Sequence, residues 1–536
     1  MTNYQFTGGT ICAPATIPGT GAISIIRVSG KESLAIADKV IDTKGVPIAE
    51  TEGYRLRYGT VFEADGSVLD NVIVSVFRTP HSYTGENSVE ISCHASRFIV
   101  NKILELLVNA GARIAAPGEF TRRAFVNGKM DLAQAEAVAD VIASQSAASH
   151  RVAMNQLKGG FSSELKVLRE KLLTMTSLLE LELDFSEEDV EFASRKELGQ
   201  LVDDSLTHIG RLTASFSRGN AIKNGVPVAI VGATNTGKST LLNALLGEDR
   251  AIVSDIAGTT RDTIEETLNI DGILFRFIDT AGIRETDETI EKIGIDRTFK
   301  KLGEAAVVLG MTDLSRGEAA VLEDTDFILS KVNEMGGVKN DGTENDGSET
   351  GGASPAETGG ASQHGHGDGQ ERKVVILVNK CDVAGDFYRD DNGTGDGSGN
   401  DLGENVAEIG DNKNVNHDNN IVSLIENKYD NCKVIPISAK TGKGLSTLTK
   451  TLGEIGSEIT GSTDETLVTN VRHYEALVRA ASALERVRAG LHIATLPPDL
   501  IAQDLREALY HLGEIVGEIS TDETLGNIFR NFCVGK

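Results

Sequence analysis

The sequence predicts a multidomain protein: an N-terminal α+β domain, then an α-helical domain split in sequence, with a Ras-like α/β P-loop domain inserted between its two parts. Three observations predict it. The 536 residues exceed what one hydrophobic core organises, and ordinary domain sizes imply roughly three to four domains. The hydrophobic period changes from short apolar runs to helical spacing after about residue 122 and becomes helical again after about 458. Between the helical parts, "VPVAIVGATNTGKSTLLNALLG" joins an apolar strand, a glycine-rich loop and a helix.

Taken in order, residues 1–122 contain "AISIIRVSG", "LDNVIVSVF" and "SVEISCH" beside the helical "SRFIVNKILELLVNAGA", which reads as a compact α+β domain. Residues 123–220 follow with Leu132, Ala135, Ala139 and Ile142 on one helix face, and with "ELKVLREKLLTMTSLLELEL". Strands and helices alternate over 221–458. Residues 459–536 return to helix in "VRHYEALVRAASALERVRAGL" and "IAQDLREALYHLGEIVGEI", separated by the helix-breaking "LPPD". A domain inserted at an exposed loop explains this order, because such sites tolerate insertion.

Within the alternating block, residues 337–372 and 385–425 are rich in Gly, Asn, Asp and Ser. They hold too little apolar surface to offset chain entropy, so disordered surface insertions are expected. His364 and His366 in "QHGHGDG" read as solvated loop side chains, not metal ligands. The formal net charge is −27, of which residues 337–372 carry −5 and residues 385–430 carry −8. An acidic surface excludes non-specific nucleic-acid binding over the whole molecule, while leaving room for local basic patches.

The five cysteines are scattered and contain no C-x-x-C pair, which fits a reducing cytoplasm and excludes a disulfide framework. The first residues lack a basic stretch followed by an apolar run, and no window approaches roughly 18 apolar residues. A soluble, cytoplasmic protein without a membrane role is expected. Cys533 stands fourth from the end in "NFCVGK", where a prenylated cysteine would stand, but Gly535 and Lys536 do not fit that signal.

The central block carries the clearest chemistry. Gly232-x4-Gly237-Lys238-Ser239 is a phosphate-binding loop between strand and helix. Backbone amides of Asn235, Thr236, Gly237 and Thr240 are expected around the phosphates, with Lys238 neutralising charge and the Ser239 hydroxyl ligating Mg²⁺. "DTAG", Asp279, Thr280, Ala281 and Gly282, follows the apolar "ILFRFI", placing an Mg²⁺-shell carboxylate and a γ-phosphate-sensing amide at a strand end. Two more strands end in Asn379, Lys380 and Asp382, and in Ser438, Ala439 and Lys440. A carboxylate at Asp382 accepts from guanine N1–H and its amino group, a donor pair adenine lacks, so GTP is the expected nucleotide.

This set resembles the TRAFAC-class translation-factor-like GTPases. By that resemblance "AGTTRD" stands at switch I, Thr260 is the second Mg²⁺ ligand, and Ser254, Asp255, Ile256, Ala257, Gly258 and Thr259 border the nucleotide. Ile283 stands where Ras-like GTPases place their water-orienting glutamine, which implies a different hydrolytic arrangement.

The whole chain, apart from the two acidic stretches, resembles the MnmE (TrmE) tRNA-modification GTPases. The matching segments are "IIRVSG", "SYTGENSVEISCH", "APGEFTRRAFVNGKMDLAQAEAVAD", "TNVRHYEAL" and "GEISTDETLGNIFRNFCVGK". The resemblance implies a homodimer joined through the first domain, and a heterotetramer with a FAD-dependent MnmG (GidA)-type partner. It implies an aminomethyl or carboxymethylaminomethyl group built on the wobble uridine of tRNA from a formyl-tetrahydrofolate-type donor.

Carried over residue by residue, the folate contacts fall on Arg27, Glu90, Lys129 and Lys536. K⁺ falls to Asn235, Ser254, Ile256 and Thr259, and catalysis to Glu291 and Cys533. Two departures stand out: "TNTGKS" where the family commonly has "PNxGKS", and "CHAS" where it has "CHGG", which bears on turn geometry near the folate pocket. A regulatory or ribosome-assembly GTPase that only binds RNA, resembling Era and Der, is the alternative. It requires a KH-type GXXG module or a second GTPase block, and neither is found. A membrane-remodelling GTPase requires an amphipathic basic segment or lipid anchor, also not found.

Overall fold

A computed structural model describes residues 8–184, 194–249, 266–278, 305–334, 372–382, 420–429, 432–461, 465–493 and 497–530, with residues 532 and 535. The chain divides into two compact units. One comprises Met1–Ser144, Ser149–Ser217 and Thr463–Lys536; the other comprises Gln145–Ala148 and Arg218–Ser462. These crossings lie within four residues of the expected insertion points at 220/221 and 458/459. The expected boundary at residue 122 falls inside a helix, and the α+β and helical parts cluster as one unit.

The first unit begins with β1 (Ile11–Pro14), β2 (Ile23–Ser29), α1 (Ser33–Val40), β3 (Ile41–Asp42), β4 (Arg55–Phe62), β5 (Val68–Phe77), β6 (Ser88–His94), α2 (Arg97–Asn109), β7 (Arg113–Ile114) and α3 (Glu119–Val126). The strands form one sheet in the order β3-β4-β5-β6-β2-β1-β7. Strict alternation sends Val89, Ile91 and Cys93 of β6 into a core with Val74, Val76, Ile103 and Leu107, while Glu90, Ser92 and His94 face the other way. On that opposite face Tyr58 and Ile73 pair directly across β4 and β5, and both are exposed.

Helices α4 (Leu132–Ala143), α5 (Ala147–Leu157), α6 (Gly160–Asp184), α7 (Arg195–Ala214) and α8 (Phe216–Asn224) follow. A reciprocal capping box between Asp131 and Gln134 starts α4, satisfying two of its free amides.

The second unit holds β8 (Val226–Gly232), α9 (Lys238–Asp249), β9 (Glu266–Ile270), β10 (Ile273–Ile278), β11 (Val307–Asp313), α10 (Glu318–Glu334), β12 (Lys373–Asn379), α11 (Asn420–Lys428), β13 (Lys433–Pro436) and α12 (Leu445–Thr460). The sheet order is β13-β12-β11-β8-β10-β9, parallel except for the β9–β10 pair. Strand order reverses beside β8, so a crevice opens at the carboxyl ends of β8 and β11, where such folds bind ligands. The expected insertions 337–372 and 385–425 lie almost wholly outside the described residues. Apart from Arg372, which directly precedes β12, the described part corrects the reading: 420–425 belong to α11, because Ile421, Val422 and Ile425 form an apolar stripe and Ile425 is fully buried.

The chain then completes the first unit with α13 (Val471–Leu491), α14 (Pro498–Val516) and α15 (Asp522–Arg530). Leu477 and Leu484 of α13 and Leu505 and Leu512 of α14 share one core with Leu165, Leu172 and Leu179 of α6 and with Val202 and Ile209 of α7. The two sequence halves of the helical part therefore fold as one body.

Candidate functional site

The loop after β8 is built by special backbone conformations. Asn235 and Gly237 have φ of +62° and +99°, and a β-carbon on Gly237 would collide with the Asn379 side-chain amide. That amide donates to the Thr236 carbonyl at 2.7 Å, while Asn379 Oδ1 accepts from the Ala439 amide at 3.0 Å. Asn379, 3% exposed, thus ties the phosphate loop to the turn of Ser438, Ala439 and Lys440. Thr236 is equally buried and closes the loop through Ala233 O at 2.9 Å.

Lys238 opens α9, and its Nζ donates to the carbonyls of Gly232 and Ala233 at 2.9 and 2.7 Å. Burial pulls its pKa below the ordinary lysine value. Phosphate oxygens bound at this place would favour the charged form. Ser239 and Thr240 follow in the first turn of α9, where helix amides favour an anion.

At the end of β12, Ser438 Oγ donates to Asp382 Oδ1 at 2.7 Å and accepts from the Thr441 amide at 3.2 Å. The carboxylate is thereby oriented by a hydroxyl whose own position the turn fixes. Lys380, at φ +66°, reaches Asp313 Oδ2 at 2.6 Å. Burial pushes the Asp313 carboxyl upward, but hydrogen bonds from Lys380 and Ser315 outweigh it and lower its pKa. Asp313 ends β11 and escaped the sequence reading; its signal was an acid closing the apolar run "VVLGMTD". Ser254, Asp255, Ile256, Ala257, Gly258, Thr259, Thr260, Asp279, Thr280, Ala281, Gly282 and Glu291 lie outside the described residues.

A second site occupies the open face of the N-terminal sheet. Arg27 and Glu90 are direct partners across β2 and β6, with Arg27 Nε donating to Glu90 Oε1 at 2.9 Å. The Arg27 guanidinium lies 5.1 Å from the Tyr83 ring centre and 5.6 Å from that of Phe120, stacking contacts the motifs did not single out. Lys129 Nζ donates to Pro80 O at 3.1 Å, in the same loop that carries Tyr83.

Beside this pair runs the end of the chain. A β-carbon on Gly118 (φ +66°) would meet Phe529 O at 2.7 Å and Phe532 Cβ at 3.0 Å, and one on Gly535 (φ +99°) would collide with Pro14 O. Pro14 is paired with Ile26, and the adjacent Ala13 with Arg27, so the tail lies one strand away from Arg27. Cys533 and Lys536 themselves lie outside the described residues.

In "CHAS", neither Ala95 nor Ser96 has a positive φ, so nothing in the turn requires glycine. Burial raises the thiols of Cys12, Cys93, Cys381 and Cys432 to about 11. Among the described residues, none of these thiols is a thiolate at neutral pH.

Comparison with known proteins covers nearly the whole chain. The family model for the GTP-binding protein TrmE N-terminus matches residues 10–129, and that for the MnmE helical domain matches residues 132–533. The "tRNA modification GTPase MnmE" of Parabacteroides distasonis is 46% identical over 98% of this chain and 100% of its own length. The protein of the same name from Porphyromonas gingivalis is 43% identical over 99% of each chain. Among solved structures, the G domain of the T. maritima FeoB iron transporter aligns with 43% of this chain and 98% of its own at 19% identity. The TM-score of that alignment is 0.23.

Proposed function

The chain belongs to the MnmE family of tRNA modification GTPases, and from that premise we propose that it couples GTP hydrolysis to one-carbon chemistry on the wobble uridine of tRNA. The product is an aminomethyl or carboxymethylaminomethyl uridine, made with a FAD-dependent MnmG-type partner. The single observation that carries this reading is the seating of Gly535 against Pro14, beside the Arg27–Glu90 pair. On this reading Cys533 and Lys536, which flank Gly535 in sequence, would act beside that cation and carboxylate.

A formyl-tetrahydrofolate-type donor suits these residues. Its glutamate tail calls for cations such as Arg27, Lys129 and Lys536, and the amino and N–H donors of its pterin suit Glu90. On the same side the rings of Tyr83 and the fully buried Phe120 pack against the Arg27 guanidinium and support its position. Burial raises the thiols of Cys12, Cys93, Cys381 and Cys432, which supports the choice of Cys533, the cysteine the family match assigns to catalysis.

In the second unit, Ser239 and Thr260 would hold Mg²⁺, and Asn235, Ser254, Ile256 and Thr259 would hold K⁺. K⁺ supplies positive charge where charge develops during phosphoryl transfer. Glu291 would orient the water, taking over from the glutamine that Ile283 replaces.

Homodimerisation through the first domain is supported by the same open sheet face. The row Tyr58, Ile73, Ser92 and Ile25 runs directly beside the row Leu56, Ser75, Glu90 and Arg27. Tyr58 and Leu56 are each 67% exposed, so an apolar surface fit for a second copy borders the folate residues. Nucleoside analysis of tRNA from cells lacking the protein tests the function. Hypomodified wobble uridines are expected; unchanged ones would mean an RNA-binding GTPase without modification activity.

A further inference from the structure

Two lysines stand at the crevice of the second unit, and their ammonium groups have different partners. Among the described residues, Lys238 Nζ bonds only the carbonyls of Gly232 and Ala233, so its charge is left for phosphate. The Lys380 ammonium meets a carboxylate, Asp313 Oδ2, at 2.6 Å.

Asp313 is fixed before Lys380 reaches it. It ends β11 in direct register with Asn379 of β12, and only 5% of it is exposed. Its other oxygen, Oδ1, accepts from the Ser315 amide at 3.0 Å and from the Ser315 hydroxyl at 2.6 Å, which sets the side chain at the start of the turn Leu314–Arg316. Both oxygens are therefore committed. A carboxylate buried to this degree is costly without a cation, so Lys380 is held firmly.

The sheet order sets the direction in which Lys380 runs. β11 lies between β12, which Lys380 directly follows, and β8, which carries the phosphate loop. From its left-handed backbone position (φ +66°) Lys380 therefore reaches over the end of β11 toward that loop, a step of about 4.8 Å between neighbouring strands. Phosphates at Gly237, Lys238 and Ser239 with guanine at Asp382 put the sugar between them, over those same strand ends. The Lys380 side chain is 33% exposed, so part of its stem is free to be covered by a ligand.

We propose that Asp313 is a positioning residue for nucleotide binding: by anchoring and neutralising the Lys380 ammonium, it makes the Lys380 stem an apolar wall for the sugar and base, not a cation for the phosphates. Lysine stems bury apolar surface readily once the charged head is satisfied elsewhere. The contribution of this wall is independent of the number of phosphates, whereas that of a lysine aimed at phosphate grows with each added charge. The proposal rests on the GTPase activity of the family and not on the modification chemistry, so unchanged wobble uridines would leave it standing.

Titration calorimetry of the full-length protein with GDP and with a non-hydrolysable GTP analogue tests it. Asp313→Asn keeps the acceptor for Ser315 and removes the charge, and it should weaken both nucleotides by the same factor, about fivefold. KM for GTP should rise by that factor while kcat stays within about twofold, the signature of lost uniform binding. In a Lys380→Met background the same substitution should change affinity by less than about twofold, because Asp313 acts through Lys380. Asp313→Glu keeps the charge but moves the anchor by one methylene; it should show the same loss and decides the matter if the asparagine variant does not fold. Wild-type affinity in the folded Asp313 variant, a loss differing by more than about threefold between the two nucleotides, or a loss that persists undiminished in the Lys380→Met background overturns the proposal.

Discussion

Ser438 holds Asp382 by a 2.7 Å hydrogen bond from its hydroxyl to Oδ1. The pair links two strand ends that lie 56 residues apart in sequence, and the hydroxyl orients the carboxylate. Asp382→Asn should weaken guanine-nucleotide binding by about 10- to 100-fold, the cost of leaving buried donors unpaired. Ser438→Ala, which only releases the carboxylate, should cost about fivefold. Titration with a fluorescent guanine nucleotide checks both, and equal losses would contradict the division of roles.

Gly237 tolerates no side chain, because its φ is +99° and the Asn379 amide occupies the space. Gly237→Ala should abolish measurable nucleotide binding. It should also lower the thermal midpoint of the second unit, since left-handed strain alone costs about 1–3 kcal/mol. Calorimetry showing a wild-type transition would contradict this.

The tail prediction separates the two activities. Deleting residues 533–536, or replacing Gly535 by Ala against the Pro14 carbonyl, should leave GTP hydrolysis and dimerisation unchanged. Either change should reduce wobble-uridine modification in a reconstituted assay by at least about 100-fold. Cys533→Ser should do the same without disturbing the seat of the tail.

Monovalent cations report on Asn235. With the GTPase units free to pair, hydrolysis in K⁺ should exceed that in Na⁺ by at least about tenfold, because a correctly placed cation supplies transition-state charge stabilisation. Equal rates would remove Asn235 from the K⁺ site.

Glu136 sets a pH dependence. Burial raises its pKa, but the His473 charge and hydrogen bond, followed by those of Arg472, lower it to about 2 from an ordinary 4.5. The folded value is depressed, so the carboxylate contributes stability fully above about 4.5 and loses it as pH falls toward about 2. The urea midpoint of the first unit should drop across that window. Glu136→Gln should lower the midpoint at neutral pH, by a loss of about 3–5 kcal/mol, and flatten its slope below pH 4.5.

Much of this was legible in the chain. The phosphate loop was readable because its glycines, lysine and serine act through local backbone geometry, and the helical parts because Leu132 and its neighbours repeat at helical spacing. The helix at Asn420–Lys428 was not, since a short apolar stripe was submerged in an acidic, glycine-rich context. Asp313 was missed because an acid at a strand end acquires meaning only when Lys380 arrives from the next strand. The contacts of the Tyr83 and Phe120 rings with Arg27 were missed for the same reason.

The sequence by itself determined the order of the parts, the nucleotide class and the family, because motif spacing and hydrophobic period are properties of neighbouring residues. Only the tertiary structure decided that Arg27 meets Glu90 63 residues away, that Gly535 abuts Pro14, and that Arg472 joins α4 to the end of α14. Those contacts depend on strand register and helix packing, where a shift of one residue reverses every side chain, and no local pattern encodes their distance.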